Sequence, residues 1–551
     1  MRYFMFKKFL VFVLLLLVPL SAKNIMSNGD MEYGDGGWYL WNKPEGPAKV
    51  KYKIAEEKIG FKGSQGAFVE VLEPPHIWWG LQLQPPQFLA DSAYYTLSFK
   101  AKGDMLVTSI VQGGAPHYRQ KESAVFQLTP EWKTYEMTFL ADEKGYGLNN
   151  VSFQIGHQKG SLWLDDVKVS LAKANHDTLW YSQAEARIDS LRKVDFYIQA
   201  KADEKISVKL LQHEFPFGTA LALYRSKDSV EQWYRQTAAH YFWHGVPENQ
   251  FKWPEYEPKK SKLKKKELEE YFQFAKQNDW DLRGHALVWA IQGYNYDKHF
   301  SNKGSCKDIA SNIKKRIERD LKEYKGRFID YDVWNEPFHE KFLFDKCGWE
   351  LMDSAFVWAH RADPTAVLYI NEYNVVAAGE TDYYYQLIKR MLDKKIPVQG
   401  IGVQCHYQGR LVSPSLFKER VDKLARLGLP IKITEFDIGT FEQGLHVSEL
   451  KQAEEYAKFI RTAYSHPAIS GILIWGFWDQ RHWIKNGGII ASDGRAKPAA
   501  DSVYQLWHKN WTTDTSARAD ASGKAHFRGF PGKYELRFEN KIDTVWIRSQ
   551  N

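Results

Sequence analysis

The stretch FIDYDVWNE (328–336) is apolar for most of its length and then stops on an amide and a carboxylate, Asn335 and Glu336, just before Pro337. Proline has no N–H to give a ladder, so the strand-like run ends there. A strand that ends this way delivers polar groups to whatever lies beyond its carboxyl end. IKITEFDI (431–438) repeats the pattern with Glu435. The two carboxylates raise the question of a shared site.

Working outward, six more apolar runs flank these two: FPFGTA (215–220), HYFWHGVPEN (240–249), DLRGHALVW (281–289), AVLYINEYN (366–374), GIGVQCHY (400–407) and GILIWGFWD (471–479). Amphipathic stretches such as KDIASNIKKRIERDLKEY (307–324) and SELKQAEEYAKFIRTAYS (448–465) separate them. Eight strand–helix units predict a (β/α)8 TIM barrel over 213–510. A doubly wound sheet is the alternative, but no GxGxxG follows a strand and opens a helix.

Upstream, alternating runs such as YYTLSFKAK (94–102), KTYEMTFLA (133–141) and SLWLDDVKVS (161–170) are separated by turn-forming residues. They predict a β-sandwich over 23–172. Residues 173–212 read as a linker and a β-rich lead-in, and 511–551 as a small β tail packed against the barrel or the lead-in, since forty residues are marginal alone. Residues 1–22 read as a signal peptide. Arg2, Lys7 and Lys8 precede the apolar FLVFVLLLLVPL (9–20), and Ser21-Ala22 follow it. That stretch is short for a bilayer span, so a secreted protein is expected, extracellular or periplasmic, with no membrane association after cleavage.

The 551 residues carry a net charge of +8 and 26% charged residues, with no concentrated basic face, which argues against nucleic acid. The one dense basic run, PKKSKLKKKELEEYFQF (258–274), spaces Leu263, Leu268, Tyr271 and Phe272 as on a helix, so its lysines read as a solvated face. Aromatics reach 15%, with 21 Trp, and flat rings suit sugars, although most belong in cores. Among the three cysteines, Cys306 and Cys347 are candidates to pair, and Cys405 reads as a buried thiol. No zinc-type spacing occurs, so no metal is expected.

In a barrel the site forms at the carboxyl ends of the strands. Here those ends carry Glu248, Asn249 and Lys252; His285 and Trp289; Asn335 and Glu336; Asn371 and Glu372; Gln404 and His406; Glu435 and Asp437; and Trp475 followed by Trp483. Strand alternation puts Gln404 with His406, Glu435 with Asp437 and Asn335 with Val333 on common faces. So many buried polar groups are costly without partners. Two carboxylates walled by Trp and His suit cleavage of a glycosidic bond, with one protonating the leaving oxygen and the other acting ionised.

Residues 240–484 resemble the family 10 glycoside hydrolases, the retaining endo-β-1,4-xylanases. ENQFKW (248–253) is similar to that family's ENxxKW, RGHALVW (283–289) to RGHTLVW, and DVWNEPF (332–338) to the acid/base motif around WDVVNE. GIGVQCH (400–406) is similar to GIGxQxH, ITEFDI (433–438) to ITELDI, and WGFWDQRHW (475–483) to the closing WGxxDxxxW segment. The resemblance implies Glu336 as acid/base and Glu435 as nucleophile. It implies Asn335 on the sugar 2-hydroxyl, His406 as partner of the nucleophile and Asp437 as an orienting group. Glu248, Asn249, Lys252, His285, Trp289, Gln404, Trp475 and Trp483 would bind sugar. It implies no cofactor, a xylan or related cell-wall polysaccharide as partner, and a monomer. The sequence departs from the family at Ala290, at Glu372 in NEYN (371–374), and at Phe477-Trp478 and Arg481-His482.

The N-terminal region resembles the family 4/9-type carbohydrate-binding modules through NGDMEYGDGGW (28–38), GSQGAFVEV (63–71) and LWLDDVKV (162–169). Trp38, Trp41, Trp78, Trp79 and Tyr118 are candidates for sugar stacking. In a strand, adjacent Trp78 and Trp79 would place one ring outward. Asp165 and Asp166 are an alternative calcium pair. Two other functions stay open: the same mechanism on cellulose or mixed-linkage glucan, and a non-catalytic glycan-binding protein.

Overall fold

The computed structural model describes residues 24–91, 93–114, 120–141, 147–172, 178–291, 304–408, 411–442 and 445–549. The expected signal peptide and Tyr118 lie outside them. The chain divides near residue 173 into two compact units.

The first unit is a β-sandwich. One sheet pairs Tyr39–Asn42, Leu81–Gln84, Gly147–Gln154, Leu106–Gly113 and Gln120–Gln127 in that order, with Phe88–Ala90 beside Gly147–Gln154. The other runs Lys49–Glu56, Gly66–Glu73, Gly160–Leu171, Ala93–Gly103 and Lys133–Ala141. Ala93–Gly103 shows why these sequences make a sandwich. Tyr95, Leu97, Phe99 and Ala101 are buried while their neighbours reach the surface, the period-2 pattern of a strand with one face in the core. Phe99 meets Phe153 of the opposite sheet edge-on at 4.9 Å.

The second unit holds a closed barrel of eight parallel strands: β1 (Phe217–Leu221), β2 (His244–Pro247), β3 (Asp281–Gly284), β4 (Asp330–Asn335), β5 (Val367–Glu372), β6 (Gly400–Val403), β7 (Ile431–Gly439) and β8 (Ile469–Ile474). Each strand pairs with the next, and β8 closes on β1. The helix Cys306–Glu323 is typical of the outer ring. Ser305 and Asp308 cap its start reciprocally, and Ile309, Ile313, Ile317 and Leu321 bury one face at four-residue spacing. From the same helix, Arg316 donates to the carbonyls of Phe251 at 2.6 Å, Ala286 at 3.2 Å and Leu287 at 3.0 Å, which fixes the chain beyond β3.

A buried ionic ladder fills the barrel axis beneath the site. Lys432 pairs with Asp330. Arg283 bonds Asp330 at 2.8 Å and Asp332 at 2.7 Å, and Asp332 holds His285 Nδ1 at 2.8 Å. Buried charges of this kind are tolerated only when paired and hydrogen-bonded. Burial opposes ionisation of Asp330, but Lys432 and Arg283 outweigh it and hold that carboxyl down at about 2.

The lead-in and the tail form one structure, not two. Val194–Gln199 pairs antiparallel with Lys524–Gly529, and Lys205–His213 lies between Asp514–Arg518 and Gly532–Arg537, with Ile542–Ile547 at the edge. The β-rich lead-in also contains helices. The short helix Thr178–Ser182 is followed by the helix Ala184–Arg192, whose last residue donates to the carbonyls of Tyr464, His466 and Ile469 next to β8. Cys306 and Cys347 form a disulfide, and Cys405 is a buried free thiol. No helix among the described residues is long and apolar enough to cross a membrane.

Candidate active site

The carboxyl ends of the strands open into one cleft of about 680 Å³. Its wall contains Glu248, Asn249 and Lys252 after β2, His285 and Trp289 at β3, Asn335 and Glu336 at β4, Gln404 and His406 after β6, Glu435 on β7, and Trp475 and Trp483 after β8. Asp437 stands behind this wall. It lies 2.9 Å from His406 Nδ1 and accepts the indole N–H of Trp483 at 2.7 Å. Ile291, Glu340, Tyr373, Asn374 and Ile484 also face the cleft, and none of the five is among the site residues expected from the sequence.

Glu336 sits one residue past β4 with φ at +56°, a left-handed conformation uncommon for a non-glycine residue. Its backbone N–H donates to the Asn371 carbonyl at 2.8 Å. Its side chain accepts Trp289 Nε1–H at 2.7 Å on one oxygen and Gln404 Nε2–H at 2.9 Å on the other. Both oxygens are therefore oriented by neighbouring elements.

A chain of amides connects the two carboxylates. Gln404 Nε2 lies 2.9 Å from Glu336 Oε1 and 3.4 Å from Asn335 Oδ1. Asn371 Nδ2 donates to Asn335 Oδ1 at 2.9 Å and to Glu435 Oε1 at 2.7 Å. The Thr434 hydroxyl donates to Asn371 Oδ1 at 2.7 Å, which fixes the amide with its NH2 toward Glu435. Asn371 is thus central to the site. Its place at a strand end was visible in the sequence, but its two-way contact needs β4, β5 and β7 side by side.

Glu435 is buried, which by itself disfavours its charge. The His285 charge, the His406 hydrogen bond and Lys252 outweigh burial and hold the carboxyl below the usual carboxylate range. His406 Nε2 lies 3.4 Å from Glu435 Oε2, and His285 Nδ1 lies 3.9 Å from Glu435 Oε1. Burial works against a charged His406 too, yet Asp437 and Glu435 raise it to about 10. Lys252 donates to Asn249 Oδ1 at 3.0 Å and lies over the rings of Trp289 at 4.8 Å and Trp475 at 5.7 Å. Burial lowers its pKa, with Glu248 opposing. Burial likewise raises Glu248, with Lys252 opposing.

Strand alternation fails at three places in the site. On β7 a register shift between Ile433 and Phe436 lets the adjacent Thr434 and Glu435 both reach Asn371. A bulge shifts the register of β4 on β5 between Asp332 and Trp334. Asp330 and Asp332 point into the ladder and Asn335 into the amide chain, so Asn335 shares its side with Asp332 and not, as expected, with Val333. After β6 the chain leaves extended geometry at Cys405, with φ at +64°. Gln404 and His406 face the same cleft through that kink, not through regular pleating.

The sandwich corrects several expectations. Trp38 is only 5% exposed and donates its indole N–H to the Asn28 carbonyl, so it belongs to the core. Trp78 and Trp79 occupy a 3-10 turn, Trp78–Gly80, and not a strand. Both are exposed, at 43% and 37%. Trp79 stacks on Trp41 with centroids 6.2 Å apart and planes 4° off parallel, and Trp78 stacks on His157 at 4.6 Å. Asp165 and Asp166, the alternative calcium pair, both have protein partners. Asp165 is taken by Phe61 N–H and the Ser64 hydroxyl, and Asp166 by Lys100 and Lys168. Among the described residues, no group of three or more His, Cys, Asp or Glu side chains is arranged to hold a metal ion.

Residues 207–506 match the family described as Glycosyl hydrolase family 10, and residues 23–160 the family described as Carbohydrate binding domain. Endo-1,4-beta-xylanase 1 of Arabidopsis thaliana is 25% identical over 549 residues, covering 94% of this chain and 55% of that relative. Anti-sigma-I factor RsgI6 of Acetivibrio thermocellus is 30% identical over 364 residues, covering 65% of this chain and 46% of that relative. The chain spans about half the length of these curated relatives. Among solved structures, xylanase 10B from Thermotoga maritima is 27% identical and covers 54% of this chain and 95% of its own, with a TM-score of 0.49. With a family match that runs over more than half of its residues, and over the whole eight-stranded barrel that carries the cleft, the chain belongs to glycosyl hydrolase family 10.

Proposed function

We propose that the protein is an endo-β-1,4-xylanase that cleaves internal xylosidic bonds with retention by double displacement. The observation that carries this reading is the pair of carboxylates in one cleft, joined through Gln404, Asn335 and Asn371, with Glu435 held ionised. In the first step the Glu435 carboxylate attacks the anomeric carbon while protonated Glu336 gives its proton to the departing glycosidic oxygen. In the second, Glu336, now a carboxylate, takes a proton from water as that water displaces Glu435 from the sugar. Asn335 meets the 2-hydroxyl of the reacting sugar, and Asn371 holds both Asn335 and Glu435 in register. Glu248, Asn249, Lys252, His285, Trp289, Gln404, Trp475 and Trp483 bind the flanking sugars.

Xylan is favoured over cellulose by the wall where Lys252 lies over Trp289 and Trp475. That closely packed wall suits a sugar without the hydroxymethyl group that glucose carries. The sandwich holds the enzyme on insoluble polysaccharide, with the exposed Trp78 and Trp79, backed by His157 and Trp41, as its sugar-facing rings. The basic-then-apolar first 22 residues support export, and the protein works as a monomer.

Reducing-sugar release from glucuronoarabinoxylan, with carboxymethylcellulose alongside and Glu435→Ala as control, tests the reading. Xylan cleavage that disappears in the variant supports it. Activity confined to the glucan would keep the two-carboxylate chemistry and replace the substrate. Glycan binding without cleavage would leave a binding protein.

A further inference from the structure

The turn that follows Glu336 is pinned by a residue of the neighbouring strand. Glu372, the last residue of β5, is fully buried. Its Oε2 accepts the backbone N–H of Phe338 at 2.9 Å. Its Oε1 accepts the N–H of Tyr373 at 2.8 Å and faces His339 Nδ1 at 2.8 Å. The other His339 nitrogen lies 3.4 Å from Glu380 Oε2. The His339 ring lies flat on Tyr373, centroids 3.7 Å apart. Burial pushes the Glu372 carboxyl up, to about 7, while Glu372 and Glu380 outweigh burial to raise His339 to about 10. Three donors converging on the two Glu372 oxygens favour the ion pair.

This cluster lies outside the machinery assigned above but borders it. Two of its three bonds to Glu372 come from residues 338 and 339, on the same turn as Glu336. That turn begins with Glu336 in the left-handed region, a conformation that persists only where the surroundings over-determine it. Upstream, the hold on Glu336 is its own N–H on the Asn371 carbonyl. Downstream, the hold runs through Glu372. Tyr373 and Glu340, at the two ends of the cluster, line the cleft itself.

We propose that Glu372, clamped to His339, is a positioning residue that keeps the Glu336 carboxyl directed at the glycosidic oxygen. It acts through the 336–340 turn and touches no substrate. A carboxylate that accepts three donors cannot be replaced by an amide, because the amide NH2 would confront one of the N–H groups. The proposal rests on the reading of Glu336 as acid/base, and the experiment separates the two.

The experiment measures kcat and KM on two substrates, a xylo-oligosaccharide with a poor sugar leaving group and a dinitrophenyl β-xylobioside whose leaving group needs no proton. Glu336→Ala provides the reference, Glu372→Gln the test, and thermal melting the check on folding. Glu372→Gln is expected to lower kcat on the oligosaccharide about tenfold to hundredfold, the scale of a misdirected catalytic group, with KM little changed. Its glycosylation rate on the aryl substrate is expected to fall by no more than about twofold, since protonation there contributes little. Where Glu372→Gln melts early, His339→Phe carries the test, because it keeps a ring on Tyr373 and loses the contacts to Glu372 and Glu380. An equal fall in kcat/KM, which reports the glycosylation step, on both substrates, or no fall on the oligosaccharide, overturns the positioning role. A Glu336→Ala variant without leaving-group dependence overturns the acid/base reading itself, whatever Glu372 does.

Discussion

The barrel cleft and the sandwich surface handle their exposed chemistry in opposite ways. In the cleft, nearly every polar group is oriented by another strand: Glu336 by Trp289 and Gln404, Glu435 by Asn371 and His406, and His406 by Asp437. On the sandwich, the candidate rings lean on each other in pairs, Trp41 on Trp79 and Trp78 on His157, with solvent beside them. The cleft is preorganised, so the loss of one member should disturb several others. The sandwich rings contribute area, so each loss should be small and nearly independent.

The largest effect should come from Glu435, the proposed nucleophile. Glu435→Ala is expected to reduce xylan cleavage by at least about 10⁴-fold, measured as reducing-sugar release, since it removes the bond-forming atom and not merely its support. If the loss were modest, the cleft would not be the cooperative region the comparison describes.

The next effect tests whether that cleft is electrostatically coupled. The Glu435 carboxyl lies below its usual range partly through His406. His406→Asn removes the positive partner, so the Glu435 pKa should rise. The proposed mechanism requires Glu435 ionised, so the acidic limb of the kcat/KM profile should move to higher pH. At the former optimum the loss should be about ten- to hundredfold. An acidic limb left in place would show that His406 serves only packing.

The ladder under the site tests stability in place of rate. Arg283→Met strips Asp330 and Asp332 of a shared partner, and breaking a buried pair from one side costs about 3–5 kcal/mol. Chemical denaturation should show that loss, together with a looser His285, which depends on Asp332.

The smallest effect is expected on the sandwich. Trp79→Ala should leave turnover of soluble oligosaccharides unchanged and weaken retention on insoluble xylan by about three- to tenfold, the worth of one stacked ring. A fall in soluble turnover would contradict the division of labour between the two regions.

Sequence carried the barrel further than the sandwich because the two differ in how local their signals are. The barrel's cleft residues sit at the ends of apolar runs, so Glu336, Glu435, Gln404 and His406 could be assigned to one cleft by position alone. What stayed hidden depends on partners far along the chain. Asp332 and Arg283 look like ordinary strand charges until β3 and β4 pair, and Asn371 becomes a bridge only beside β4 and β7. The bulge in β4 reverses alternation without any glycine or proline to signal it. In the sandwich, Trp38 and Trp79 look alike as letters. Burial separates them, and burial there is set by the packing of two sheets and by a 3-10 turn. The lead-in helix Ala184–Arg192 is not legible in the sequence because the strands after it dominate the local pattern.

The most direct test of the central claim is to trap the intermediate. A 2-fluoro-xylobioside with a dinitrophenyl leaving group slows the second step, so a retaining enzyme accumulates its covalent sugar adduct. Mass spectrometry of the digested protein should then find the fluorinated disaccharide on the peptide that carries Glu435, and Glu435→Gln should remain unlabelled. An adduct on another residue, or none at all on an enzyme that cleaves xylan, would contradict double displacement through Glu435.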